Sequence, residues 1–232
     1  MELFFHPELI NGIFEPGENE VRHLRVLRKR QGDMVWFTDG MGIRAECVVV
    51  DAAVKKFLLE VKKIETISRP KPLLTLAVSP LKNPDRFEWL VEKCTESGVG
   101  TIVPIMCERT ESSLKKSDRL QRIIQAATIQ SLQYYMPELV QPMQFSEFLK
   151  VHGAKSKFIA WCDDVAKTPI LSALHEGEDT IILIGPEGDF TKEEFDTAIG
   201  SGYQAISLGQ NRLRTETAAV MAAHAFYLKN SK

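Results

Sequence analysis

Two short segments combine glycines with side chains that can do chemistry. Gly185-Pro186-Glu187-Gly188-Asp189-Phe190 offers two glycines and two carboxylates. Gly209-Gln210-Asn211-Arg212-Leu213-Arg214-Thr215-Glu216-Thr217 offers one glycine, two arginines, hydroxyls and a carboxylate. Glycine lets the backbone approach a ligand closely. Arginine stabilises anions, and a carboxylate is a general base or a structural acceptor. A third segment, Val21-Arg22-His23-Leu24-Arg25-Val26-Leu27-Arg28-Lys29-Arg30, holds five Lys or Arg, one His and no acid. Arg22, Arg25 and Lys29 can share one helical face, with Leu24 and Leu27 on another, a stripe suited to binding phosphates. Arg109, Lys115, Lys116, Arg119 and Arg122 form a weaker basic cluster against Glu111 and Asp118. Each segment alone also has a plain reading: a turn before a capped helix, local ion pairs, a solvated amphipathic helix.

The elements around these segments decide whether they meet. Val35–Thr38, Arg44–Val50 and Leu58–Val61 read as strands separated by glycine and aspartate turns, which suggests a small N-terminal β-barrel. Ser68-Arg69-Pro70-Lys71-Pro72 disfavours helix and is expected to join residues 1–70 to residues 71–232. Beyond it, short apolar strands alternate with helices. The strands are Leu73–Val78, Thr101–Ile105, Phe158–Trp161, Thr180–Ile184 and Ala205–Leu208. Asn83 and Pro84 open one helix, whose apolar face carries Phe87, Leu90, Val91 and Cys94 before Gly98 ends it. Ser117 opens a second. Thr191 and Glu194 make a capping box with Phe190 and Phe195 at the staple positions, and Thr215–Lys229 is the last helix. This alternation predicts an α/β domain with a buried parallel sheet. Ligands of such sheets bind beyond the carboxyl ends of the strands, where both glycine segments fall.

Composition narrows the class. The chain has 232 residues, 44% hydrophobic and 26% charged, with a net charge of −2. That excludes disorder, and no apolar run approaches the ~20 residues of a membrane span. The N-terminus lacks the basic and apolar regions of a signal peptide, so a cytosolic protein is expected. Cys47, Cys94, Cys107 and Cys162 form no C-x-x-C pair, so neither disulfide nor zinc is expected. The phosphate-loop, dinucleotide, zinc-deaminase and serine-hydrolase motifs are absent; the loop after the first α/β strand reads Ser79-Pro80-Leu81-Lys82.

Taken together, Ile184-Gly185-Pro186-Glu187-Gly188, Leu208-Gly209 and Leu213-Arg214-Thr215-Glu216-Thr217-Ala218 resemble the RsmE family, small-subunit ribosomal RNA uridine-N3 methyltransferases of the SPOUT superfamily. The resemblance extends through His23–Arg28, Gly32-Asp33 and Asp39-Gly40. It continues through Lys82, Arg86, Glu88, Lys93, Glu96, Gly98, Val99 and Pro104, and reaches Gln130 and Pro137. It implies a PUA-like N-terminal barrel that holds RNA, a SPOUT domain with a trefoil knot at the cofactor site, and a homodimer. The implied cofactor is S-adenosylmethionine, held by Leu183, Ile184, Gly185, Pro186, Glu187, Gly188, Leu208, Gly209, Asn211, Leu213 and Thr215. The implied substrate is a uridine of 16S ribosomal RNA in the small subunit. Arg214 would stabilise the uracil anion, Glu187 and Glu216 are the candidate bases, and Tyr134 and Tyr135 are possible stackers. Arg22, His23, Arg25, Arg28, Lys29, Arg30, Lys82, Arg86 and Arg109 are the expected RNA contacts. The chain departs from the family pattern at Asp189 (usually glycine), at Asn211 (usually arginine) and at Gln133. The departures at Asn211 and Gln133 motivate the alternative, a non-catalytic RNA-binding or ribosome-assembly protein on the same fold.

Overall fold

The computed structural model describes every residue except Met1, Val54, Lys55, Ser113, Lys115, Lys116, His152, Asp164 and Lys232; the side chains of Lys56 and Ser117 also lie outside it. Two of the expected basic residues, Lys115 and Lys116, therefore fall outside the described residues. The elements in chain order are β1 (Leu3–Phe5), β2 (Ile13–Phe14), α1 (Glu18–Val26), β3 (Met34–Thr38), β4 (Ile43–Ala53), β5 (Lys56–Thr66), β6 (Leu74–Val78), α2 (Pro84–Glu96), β7 (Thr101–Met106) and α3 (Ser117–Gln130). They continue with β8 (Glu138–Leu139), β9 (Met143–Gln144), α4 (Phe145–Val151), β10 (Ser156–Ala160), β11 (Thr168–Pro169), α5 (Ile170–Ala173), β12 (Thr180–Ile184), α6 (Lys192–Gly200), β13 (Gln204–Ser207) and α7 (Thr215–Asn230). The chain separates into two units: Met1–Arg69 with Gln125–Met136, and Pro70–Ile124 with Pro137–Lys232.

The first unit is a five-stranded sheet in the order β1-β3-β4-β5-β2. Its strands are longer than the apolar runs suggested, because β4 and β5 continue as an antiparallel ribbon through alternating charged and apolar residues. The inward positions Val35, Phe37, Ala45, Cys47, Phe57 and Leu59 are buried around Leu24 of α1, the period of two expected when one face is buried. Burial pushes the Cys47 thiol up to about 12, so it stays a neutral core side chain.

The basic run does not form one helical stripe. Helix α1 stops at Val26, Arg28 adopts φ +55°, and the Lys29 N–H bonds back to Leu24 O at 3.0 Å. This is a left-handed helix terminus built without glycine. Lys29 is thereby turned off the helix and pairs with Glu2 at 2.6 Å. Arg22 and Arg25 remain on the exposed side of α1, and the His23 ring packs 5.2 Å from Phe4. The tyrosine pair is also packing. Gly42 N–H donates to Tyr134 O, the Tyr135 hydroxyl donates to Ile67 O, and the Tyr135 ring lies under Arg69.

The second unit is an all-parallel sheet in the order β11-β13-β10-β12-β6-β7-β8, with β9 pairing β7. Strand β12 is buried at all five positions, as a strand covered on both faces must be. Ile181 and Leu183 join Phe148 of α4 and Phe195 of α6 in one apolar layer. Ile182 and Ile184 alternate to the other face, where α2, α5 and α7 pack together. The helix signals hold. Asn83 accepts the Asp85 N–H at 2.9 Å with Pro84 in the first turn, and Gly98 ends α2 at φ +74°. The Thr191–Glu194 capping box closes in both directions at 3.2 and 2.9 Å.

Candidate functional site

The parallel strands β6, β7, β10, β12 and β13 all end at one edge, so the loops that follow them converge there. Strands β12 and β13 are separated by β10 alone, close enough for both glycine loops to line one cleft of about 940 Å³. Both segments thus serve one site rather than two unrelated turns.

The loop after β12 is held from several sides. Asp189 N–H closes a turn onto Pro186 O at 2.9 Å. The Arg109 guanidinium donates to Gly188 O at 2.7 Å and to Phe190 O at 3.3 Å. Glu187 accepts the Lys82 N–H at 3.0 Å, tying the loop to the segment after β6. A Cβ at Gly185 would lie 3.1 Å from the Phe190 ring and its backbone nitrogen, so a side chain there would press on the loop. Glu194 adds a bond outside its capping box, accepting the Glu108 N–H at 2.8 Å.

Asp189 explains its own departure from the family pattern. Its φ is +62°, the left-handed region that glycine adopts freely and that aspartate tolerates better than most residues. Its carboxylate then accepts the Cys162 N–H at 2.9 Å and its neighbour Phe190 N–H at 2.8 Å. The backbone conformation survives the loss of glycine, and the added side chain links two loops. Burial and the adjacent Asp189 carboxylate hold the Cys162 thiol above its ordinary pKa, which disfavours a thiolate nucleophile there.

The loop after β13 is open by contrast. Gly209 sits at φ +133°, a conformation that side chains rarely adopt. Residues 209–212 are exposed, and Arg214 stands at the start of α7 without capping it through its side chain. Neither Arg212 nor Arg214 has a hydrogen-bond or ion-pair partner for its guanidinium among the described residues. Glu216 in the first turn of α7 is only 10% exposed and faces Arg86 Nε at 3.8 Å.

Of the expected site residues, Ile184, Gly185, Pro186, Glu187, Gly188, Leu208, Gly209, Asn211, Leu213, Arg214, Thr215 and Glu216 line the cleft together with Arg86 and Arg109. Leu183 does not; its side chain belongs to the apolar layer under the sheet. Lys82 stands off the wall, its ammonium 2.7 Å from Glu111. Arg22, His23, Arg25, Arg28, Lys29 and Arg30 belong to the first unit. The cleft also contains residues that sequence reasoning passed over: Trp161, Cys162 and Asp163 after β10, with Lys167. The Lys167 ammonium ties that loop by donating to Trp161 O at 3.1 Å and Asp163 O at 2.6 Å. The signal was present, since this loop also follows a parallel strand, but it contains no glycine.

The sequence profile of the RNA methyltransferase domain matches residues 69–227, and that of the RNA methyltransferase PUA domain matches residues 16–62. The ribosomal RNA small subunit methyltransferase E of Synechocystis is 31% identical over 207 residues, 85% of this chain and 67% of that protein. This chain belongs to the RsmE family. Solved structures agree along the whole length. A probable rRNA-methyltransferase from Porphyromonas gingivalis is 33% identical with a TM-score of 0.91, over 98% of this chain and 99% of that one. The ribosomal RNA small subunit methyltransferase E of Neisseria gonorrhoeae, bound to S-adenosyl methionine, is 29% identical with a TM-score of 0.85, over 97% and 96%. The small N-terminal sheet accordingly fits a PUA-like domain, and the parallel-sheet unit fits a methyltransferase. No described helix is long and apolar enough to cross a membrane.

Proposed function

We propose that this chain transfers a methyl group from S-adenosylmethionine to N3 of one uridine in 16S ribosomal RNA of the small subunit. The observation that carries the reading is the single cleft formed by two glycine loops at the carboxyl edge of the sheet, one braced and one bearing unpartnered arginines, in a chain of the RsmE family. The residues fit the cofactor. The cleft has the volume of a nucleoside site, and Gly185, Gly188 and Gly209 are among the residues that line it. The backbone of Leu183–Gly188 and Leu208–Leu213, with Thr215, would hold it. S-adenosylmethionine, when bound, supplies a methyl group on a cationic sulfur.

The chain must supply the rest. Uracil N3 carries a proton, and its lone pair attacks only after that proton leaves. Arg214, permanently cationic and exposed in the cleft, stabilises the resulting imide anion. Of the two carboxylates, Glu216 sits in a helix first turn and faces Arg86, which makes it a positioning group. Glu187 is exposed, with one oxygen held by Lys82 N–H, and its second oxygen receives the N3 proton. The target base is read on its Watson–Crick edge, so it must be unpaired or extruded.

The remaining parts of the reading concern assembly. Residues 1–70 act as the PUA-like, RNA-holding domain, with Arg22 and Arg25 on exposed α1. Residues 71–232 act as the SPOUT domain. Strand β13 lies beyond β10, yet α7 returns to pack on α2, β6 and β12; we read this return as the trefoil knot. The active form is a cytosolic homodimer.

The test is methyl transfer from labelled S-adenosylmethionine to small ribosomal subunits lacking the modification, followed by reverse transcription. A single stop at one uridine supports the reading, because N3 methylation blocks pairing. Transfer to another base, or no transfer despite cofactor binding, contradicts it.

A further inference from the structure

The loop after β12 starts beyond Ile184 and ends in the capping box of α6, and two separate segments hold its two ends. The segment after β6 holds the entry. Ser79 N–H donates to Ile184 O at 3.1 Å, and Lys82 N–H donates to Glu187 at 3.0 Å. The segment after β7 holds the exit. Residues 107–110 form a tight turn closed by Thr110 N–H, which donates to Cys107 O at 3.0 Å. The Thr110 hydroxyl closes the turn a second time, accepting Cys107 N–H at 2.8 Å. Both central residues of the turn reach across: Glu108 N–H donates to Glu194, and the Arg109 guanidinium donates to Gly188 O and Phe190 O. A hydroxyl pair couples the two holders. Ser79 Oγ lies 2.7 Å from Thr110 Oγ1, and Ser79 is fully buried. A buried hydroxyl is costly to leave without a partner, and the nearby Pro80 O is 3.4 Å away, a long contact. The Lys82–Glu111 ion pair also spans the two segments, but it is exposed and contributes little.

We propose that Thr110 is a positioning residue for the methyl donor. It fixes the turn from which Arg109 braces the β12 loop, and through Ser79 it locks that turn to the backbone group that holds Ile184. Neither Thr110 nor Ser79 lines the cleft, so both act through the loop and not on the ligand. A hydroxyl pair between two loops is ordinary packing on its own. Here it joins the entry and exit of one ligand-facing loop, so losing it frees both ends together. The inference rests on the cofactor-binding reading above and carries it to a residue that neither glycine loop contains.

The experiment compares wild type with Thr110→Val, which removes the hydroxyl, with Thr110→Ser, which restores it, and with Arg109→Ala alone and combined with Thr110→Val. Two quantities are measured on the full chain. One is affinity for S-adenosylmethionine by calorimetry. The other is amide exchange at Asp189, whose N–H closes the β12 loop onto Pro186 O. Exchange needs no ligand, so failure of the cofactor reading and failure of this inference are separable. Thr110→Val should weaken affinity about five-fold, the scale of one hydrogen bond. It should also speed exchange at Asp189 while the amides of β12 keep wild-type protection. Thr110→Ser should return both quantities to within about two-fold of wild type. In the Arg109→Ala background Thr110→Val should weaken affinity by less than about two-fold, because it acts largely through that guanidinium. The inference is overturned if Thr110→Val leaves affinity and exchange unchanged, if Thr110→Ser fails to restore them, or if the effects of Thr110→Val and Arg109→Ala add in full. Loss of protection throughout the sheet would also overturn it, since Thr110 would then serve stability alone.

Discussion

The two glycine loops that meet at the cleft are built in opposite ways. The loop after β12 is braced by Arg109, by the Glu187–Lys82 bond, by the Asp189–Cys162 bond and by a closed capping box. Between Gly209 and Leu213 the loop after β13 makes no hydrogen bond among the described residues. One loop has its conformation fixed before any ligand arrives; the other keeps its donors and cations for a ligand. Preorganisation lowers the ordering cost of binding, while unpaired cations are what a developing anion needs. On the proposed reading the difference divides the labour: both loops give main chain to the methyl donor, the β12 loop as its braced wall, while the unpaired cation Arg214 that meets the acceptor's charge comes from the β13 loop.

That division predicts unequal effects from neighbouring substitutions. The largest belongs to Arg214→Ala, which should lower kcat by about a thousand-fold, the scale of a lost transition-state donor, with cofactor affinity within two-fold of wild type; calorimetry alongside single-turnover rates measures both. Glu187→Gln comes next. The amide still accepts the Lys82 N–H, so the loop should stay folded while kcat falls about a hundred-fold, which single-turnover rates at saturating cofactor measure. Gly209→Ala and Gly188→Ala form a smaller pair. Alanine at 209 is strained by φ +133°, at a cost of about 1–3 kcal/mol. A Cβ at 188 meets only the Arg109 side chain, Cδ at 3.4 Å and Cβ at 3.6 Å, ordinary contacts. Urea unfolding should therefore separate them, with 209 the less stable. The smallest effect is expected from Asp189→Gly, which keeps the backbone conformation and loses the bond to Cys162; cofactor affinity should fall a few-fold, with kcat at saturation unchanged.

Strong local signals made much of this fold legible. Asn83-Pro84, the Thr191–Glu194 box and Gly98 marked helix ends through backbone hydrogen bonds that depend on neighbouring residues alone. Strand β12 was plain because a strand buried on both faces is apolar at every position. What stayed hidden depends on partners distant in sequence. Two-residue strands such as β2 and β11 exist only through the strands they pair with. The end of α1 was misjudged because Arg28 takes a conformation usually given to glycine. Tyr135 looked available for stacking, but its hydroxyl is taken by Ile67, 68 residues away. The cleft residues Trp161–Asp163 were missed because only the sheet order, with β10 between β12 and β13, brings them there.

The most direct test of the division sets Arg109→Ala beside Arg214→Ala and measures cofactor affinity and single-turnover methyl transfer for each. Removing Arg109 should loosen the β12 loop, weakening cofactor binding several-fold and leaving the rate at saturating cofactor near wild type. Removing Arg214 should do the reverse. If both substitutions reduce affinity and rate together, the loops act as one unit and the division of labour is wrong.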